Sequence, residues 1–167
     1  MLKEIFCEEF KLNGKVREPI KFNPGLNVVI GKKKAGKENS IGKTSILLIV
    51  DFCFGGDSFR KSKVVKAIGV HRIFFTFSFD REYYFCRSTE DKDFLYECDK
   101  KRECQKRVSL GTFKKWLAEK YSLVNATEGI REIISPYFRI YNKSPVEAKK
   151  FLASFSGQSH YNLRFHQ

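Results

Sequence analysis

Val28-Val29-Ile30-Gly31, then Lys32-Lys33-Lys34-Ala35-Gly36-Lys37-Glu38, then Asn39-Ser40-Ile41-Gly42-Lys43-Thr44-Ser45, then Ile46-Leu47-Leu48-Ile49-Val50-Asp51-Phe52-Cys53-Phe54, is the stretch on which the fold turns. Its first part closes Leu26-Asn27-Val28-Val29-Ile30, a short, mostly apolar, β-branched run of the kind expected in a buried strand. The middle is polar, basic and glycine-containing, and so reads as a loop. The last part is apolar nearly all round, which suits a helix buried in a core. Its β-branched residues leave a strand open on propensity alone; the preceding Gly42-Lys43-Thr44 favours the helix. Gly55-Gly56 stops it, because glycine accepts the left-handed backbone beyond a helix end.

Strand, glycine-bearing loop and helix in that order form a phosphate cradle: loop N–H groups face inward and the helix N-terminus points at the anion. The expected nucleotide-binding set is Asn39, Ser40, Ile41, Gly42, Lys43, Thr44 and Ser45. Gly42 lets the backbone approach phosphate, Lys43 bridges the β- and γ-phosphates, and the Thr44 hydroxyl sits on Mg²⁺. Ser45 is placed for the α-phosphate. The spacing departs from G-x-x-x-x-G-K-[ST], which wants glycine at 37, where Lys37 stands, with Gly36 nearest. Either the loop carries an insertion or Gly31 is the functional first glycine. The plain alternative is a Gly/Lys-rich surface loop ahead of a core helix.

Working outward, Ile5-Phe6-Cys7 with Phe10, and Ile20-Lys21-Phe22, suggest strands, with a turn at Asn23-Pro24-Gly25. Ile73, Phe75, Phe77 and Phe79 alternate with Phe74, Thr76, Ser78 and Asp80, and Asp80-Arg81-Glu82 turns into Tyr83-Tyr84-Phe85-Cys86, which predicts an antiparallel hairpin. Phe94-Leu95-Tyr96 and Arg107-Val108 suggest a second hairpin, with a charged tip over 99–106. Phe113, Trp116, Leu117 and Tyr121 follow helical spacing. Ile130, Ile133 and Ile134 mark a short helix that Pro136 closes. Ser144-Pro145-Val146-Glu147 is a capping box opening a terminal helix, followed by a polar tail; together these take up 144–167.

The chain has 167 residues, 42% hydrophobic and 15% aromatic with 17 Phe, a globular composition with material for one core. No apolar run approaches the roughly 20 residues of a membrane span, and the first residues do not read as a signal peptide. A cytoplasmic location is therefore expected. Five Cys at 7, 53, 86, 98 and 104 lack CxxC spacing, which argues against a zinc site or a disulfide framework. Cys53, in an apolar run, is expected in the core, and the three His form no ligand pattern. The net charge of +13 suits polyanions: nucleotide phosphates, DNA or RNA.

Phe22-Asn23-Pro24-Gly25-Leu26-Asn27-Val28-Val29-Ile30-Gly31 resembles the entry to the ATPase heads of SMC, RecN and RecF-type proteins, and Asn39-Ser40-Ile41-Gly42-Lys43-Thr44 resembles the second half of their loop. Ser40 replaces a glycine there, and 32–38 is inserted. With Asp51-Phe52-Cys53-Phe54-Gly55-Gly56-Asp57, the pattern is most similar to the YydD-like branch, associated with bacterial ABC-three-component systems. The resemblance covers 1–57 and is looser beyond.

It implies an α/β P-loop NTPase fold, an ABC-type N-lobe with mixed sheet, antiparallel hairpins and flanking helices. On this reading 1–167 is one half-head that binds ATP and Mg²⁺. It implies a partner C-terminal ATPase lobe carrying the catalytic groups, or a second head closing a dimer around ATP, with hydrolysis only in the completed head. DNA and an effector protein are further implied partners, in DNA repair or phage defence. Phe155-Ser156-Gly157-Gln158 is similar to the family's signature motif but lacks one glycine, so a helix stop is the plainer reading. No family glutamine is assigned, neither Gln105 nor Gln158. The rivals are a complete small P-loop kinase or GTPase with Asp80 on Mg²⁺, and a non-enzymatic basic module that binds nucleic acid through 32–37.

Overall fold

A computed structural model describes residues 1–29 and 40–123, without the side chains of Ser40, Ile41 and Lys43. The described residues all belong to one unit of the chain, Met1–Asn125. Their elements run β1 (Leu2–Phe6), β2 (Lys11–Leu12), β3 (Lys15–Val16), β4 (Ile20–Lys21), α1 (Ser40–Cys53), a 3₁₀ turn (Ser58–Lys61), α2 (Lys63–Ile68), β5 (Arg72–Ser78), β6 (Glu82–Ser88), β7 (Phe94–Cys98), β8 (Cys104–Ser109) and α3 (Leu110–Lys120). This is an α/β arrangement around a six-stranded sheet of order β4-β1-β5-β6-β7-β8.

Alternation decides the two faces of the sheet. Ile5, Ile73, Phe75, Phe77, Phe85, Leu95 and Val108 are buried and face the helices. From α1 come Ile49, Val50, Phe52 and Cys53, and from α3 Phe113 and Leu117, all buried. Ring contacts tie the layers: Phe54 to Phe77 (centroids 5.2 Å) and Phe113 to Phe85 (5.1 Å). Each such ring contributes roughly 1.5–3 kcal/mol by leaving water. Trp116 adds edge contacts to Phe85 and Tyr83, each at 5.1 Å.

Both expected hairpins form. β5 and β6 pair from Arg72↔Ser88 to Ser78↔Glu82, and β7 pairs β8 with an irregularity between Glu97 and Cys98. Asp80 lies in the tight turn between the first pair. The helix on Phe113, Trp116 and Leu117 is α3; the Ser109 side chain caps it by accepting from Thr112 N–H (3.1 Å). The helices expected around 130–134 and from 144, with the polar tail, lie outside the described residues.

Two expectations are corrected. Among the described residues the sheet shows no parallel pair, where a mixed one was expected: every strand pairing there is antiparallel. The buried strand expected over Leu26-Asn27-Val28-Val29-Ile30 is not seen in its described part, residues 26–29. Leu26 is 89% and Val28 68% exposed, so the β-branched pattern is present without a neighbour to pair with among the described residues. The local order there is a turn: the Asn27 side chain accepts from Asn23 N–H (2.9 Å) and donates to the Asn23 and Gly25 carbonyls (2.8 and 3.1 Å).

Candidate functional site

α1 is held at its C-terminal end by backbone and side-chain bonds. At its C-terminal end Gly55, at φ +87°, takes the left-handed position. Gly56 N–H donates to Asp51 O (2.8 Å) and Gly55 N–H to Phe52 O (3.1 Å), the paired bonds of a Schellman ending. Arg87, on β6 and 1% exposed, reaches the same place. Its Nη1 donates to Phe52 O (3.0 Å) and Gly56 O (2.6 Å), and its guanidinium lies 4.1 Å over the Phe52 ring. A buried cation thus meets the negative end of the helix dipole. Burial lowers the Arg87 pKa to about 10, while Asp57 works the other way; the group stays charged at neutral pH.

A second small network secures the turn before β5. His71 Nδ1–H donates to Gly69 O (2.8 Å), and His71 and Thr89 exchange bonds across the start of the β5–β6 pair. Arg60 joins it, donating through Nε to Thr89 O (2.9 Å) and through Nη1 to Asp57 (2.8 Å).

The N-terminal turn of α1 holds the sequence-predicted residues. Ser40, Ile41, Gly42 and Lys43 are its first four, with Thr44 and Ser45 next; Asn39 and the 30–38 loop lie outside the described residues. Gly42 and Thr44 are exposed and Ser45 half-buried, whereas burial is complete from Ile49 onward. No acidic residue stands in this first turn. Among the described residues a Cβ on Gly42 would meet nothing within 4 Å. A helix N-terminus has backbone donors suited to an anion. A hydroxyl at 44 is a hard oxygen donor, appropriate to Mg²⁺.

The other candidates fare differently. The Asp80 carboxylate accepts from Lys120 Nζ (2.6 Å) and from the Tyr83 hydroxyl (2.9 Å), which lower its pKa to about 2. Gln105 is exposed and donates to Asp99 (3.4 Å); Gln158 and 155–158 lie outside the described residues. Cys53 is fully buried, as expected. Cys98 Sγ is 3.6 Å from Cys104 Sγ; the Cys86 thiol and burial push the first up and burial the second, so both stay protonated and poorly nucleophilic. Among the described residues no group of three or more His, Cys, Asp and Glu could hold a metal ion, and no helix is long and apolar enough to cross a membrane.

Arg87 was not singled out by the sequence reading. Its signal is parity: it stands two residues after Phe85, on the inward side of an apolar strand, where a cation needs a buried partner. The small β2–β3 hairpin had a plainer one in Asn13-Gly14, whose φ values of 53° and 78° suit a tight hairpin turn. Comparison of the chain with protein-family models, with curated proteins and with solved structures found no match in any of the three.

Proposed function

We propose that this chain is the nucleotide-binding N-terminal lobe of an SMC-like ABC-type ATPase head, taking ATP with Mg²⁺ at Asn39, Ser40, Ile41, Gly42, Lys43, Thr44 and Ser45. The observation that carries this is the asymmetry of α1: Gly-Lys-Thr occupies the surface turn of a helix whose far end is locked into the sheet by Arg87 and the glycine pair. A helix so anchored presents its N–H groups to phosphate without reorganising. The same support comes from the absence of acid in that turn and, among the described residues, from the lack of any atom within 4 Å of a Cβ on Gly42.

In this reading the first-turn N–H groups and the Lys43 ammonium hold the phosphates, and the Thr44 hydroxyl is the chain's ligand to the metal. Mg²⁺ supplies neutralisation of phosphate charge when bound. Phosphoryl transfer to water belongs to a head completed by a C-terminal lobe, and its catalysis is positioning and charge stabilisation. Exposed Leu26, Val28 and Val29 support such a completing partner, since an apolar β-branched run just ahead of the loop is left for another strand to cover. DNA-linked or phage-defence work, with ATP binding driving head association, follows from the resemblance of 22–57. The small-kinase alternative draws no support from Asp80, whose carboxylate is held by Lys120 and Tyr83.

Calorimetric titration with ATP and Mg²⁺ tests the proposal. Saturable binding is expected, lost in Lys43→Ala and weakened in Thr44→Ala mainly when Mg²⁺ is present. Binding by the wild type that Lys43→Ala leaves unchanged would overturn it.

A further inference from the structure

The sheet face turned away from the helices carries its own pattern. In register across five strands lie Phe6 (β1), Phe74 (β5), Cys86 (β6), Tyr96 (β7) and Arg107 (β8). At about 4.8 Å per strand the row is roughly 19 Å long. Phe6, Phe74 and Tyr96 are half-buried, with Tyr84 beside them in the next row. Phe94 is two residues from Tyr96 and on the same face. Planar cations accompany the rings: Arg102 lies over Phe6 and Arg107 over Phe94, each 3.7 Å from the ring centroid. Between Lys3, Phe6, Phe74, Tyr84, Cys98 and Arg102 the face dips into a cleft of about 320 Å³.

The charge on this face is uneven. Lys3, Lys21, Arg72, Lys100, Arg102 and Arg107 stand against Glu4, Glu82 and Asp91. The three acids are met by Lys3, Arg102 and Arg107, so the excess falls to Lys21, Arg72 and Lys100 at the margins of the aromatic row. The chain's own segment 126–167 does not complement this, being net basic itself.

We infer that this face binds single-stranded nucleic acid, with unpaired bases stacked on Phe74 and Tyr96 of the row and phosphates met by Lys21, Arg72 and Lys100. Rings along a row with unpaired cations at its margins suit a chain of alternating π-faces and phosphates. A duplex does not suit it, because paired bases have their faces stacked on one another. An apolar protein surface would leave the excess cations without partners. The inference is independent of the nucleotide reading of α1, because the row lies on the opposite face of the sheet from that helix.

The test is fluorescence anisotropy of the full chain with a labelled oligothymidylate, an oligouridylate of equal length and a labelled duplex, without ATP. Either single strand should bind about ten-fold or more tightly than the duplex, and the better of the two identifies the preferred sugar. Tyr96→Leu, which keeps apolar bulk and removes the π-face, should weaken binding about ten-fold, while Tyr96→Phe should restore it. Arg72→Glu, which takes no ring from the sheet, should also weaken it and make its loss with salt shallower, because one phosphate contact fewer releases fewer counterions. Circular dichroism checks each variant's fold. No binding, equal affinity for the duplex, or a Tyr96→Leu chain that binds as well as the wild type would each overturn the inference, the last by reducing the face to a basic surface.

Discussion

Gly55 and Gly56 end α1 for different physical reasons, and the difference is measurable. Gly55 needs its φ of +87°, and a Cβ there would press on Lys114 Cε at 2.7 Å, the far part of a flexible side chain. Gly55→Ala should therefore cost about 1 kcal/mol of unfolding free energy, mostly backbone strain. Gly56 has no positive φ, but its Cβ would stand 1.9 Å from Asp51 Oδ2, a carboxylate buried within the same helix end. Gly56→Ala should cost about 2–4 kcal/mol, because a buried polar side chain must be displaced in a filled site. Urea unfolding of the two variants should rank them in that order; equal losses would mean that Asp51 swings away freely. Arg87 gives the second residue-scale prediction. Arg87→Ala strips donors from the Phe52 and Gly56 carbonyls and opens a cavity beneath Phe52, at a cost of about 3–5 kcal/mol. Arg87→Lys keeps the charge but not the planar fork, and should recover only part of that loss. Full recovery by lysine would reduce the role of Arg87 to charge at a helix end.

Among elements, the β5–β6 hairpin and α3 are joined at an exposed corner by Lys120 and Asp80. The Asp80 pKa, lowered to about 2 by the Lys120 and Tyr83 hydrogen bonds, lies below the ordinary carboxylate value of about 3.9. A depressed acid stabilises the folded form above its unfolded pKa, and that contribution fades as pH falls through about 4 toward 2. The corner should thus be indifferent to pH between neutrality and about pH 5. Carboxyl NMR titration of Asp80 should give a midpoint near 2, moving toward the ordinary value in Lys120→Met; an ordinary midpoint in the wild type would mean that the contact is not held in solution. This same hairpin was legible in the sequence because its alternation runs seven residues on each side of a polar turn, and α3 because Phe113, Trp116 and Leu117 share one helical face. The run through Val28 and Val29 was not, because a buried-strand pattern records affinity for a neighbour and not the neighbour itself. The Lys63–Ile68 helix escaped for the opposite reason: six residues with no buried side chain leave no periodicity, and only its Ser62 cap marks it. In the candidate site, Gly-Lys-Thr announced the helix start, whereas Arg87, which secures the other end, is distant in sequence and speaks only through its place in β6.

For the whole molecule, the two faces of the sheet divide its work. One face is closed by α1 and α3 around the Phe75, Phe77, Phe85 and Phe113 rings, while Gly42 and Thr44 near the start of α1 are exposed. Leu26 and Val28 sit outside this economy: their exposure of 89% and 68% means that folding of the described unit gains almost nothing from them. Replacing both with Ser should accordingly change unfolding free energy by less than about 0.5 kcal/mol, the usual range for surface sites. The same substitution should reduce self-association of the isolated chain, because an apolar, β-branched, unpaired run is the segment that another strand edge would recruit. Light scattering over a concentration series, beside urea unfolding, reads both quantities on one pair of proteins. A chain that stays equally stable but becomes more monomeric has Leu26 and Val28 as an outward docking edge, as a lobe awaiting its complement requires. A loss of stability above about 2 kcal/mol would instead make them part of this unit's own core, and the case for a completing lobe at that edge would fall with it.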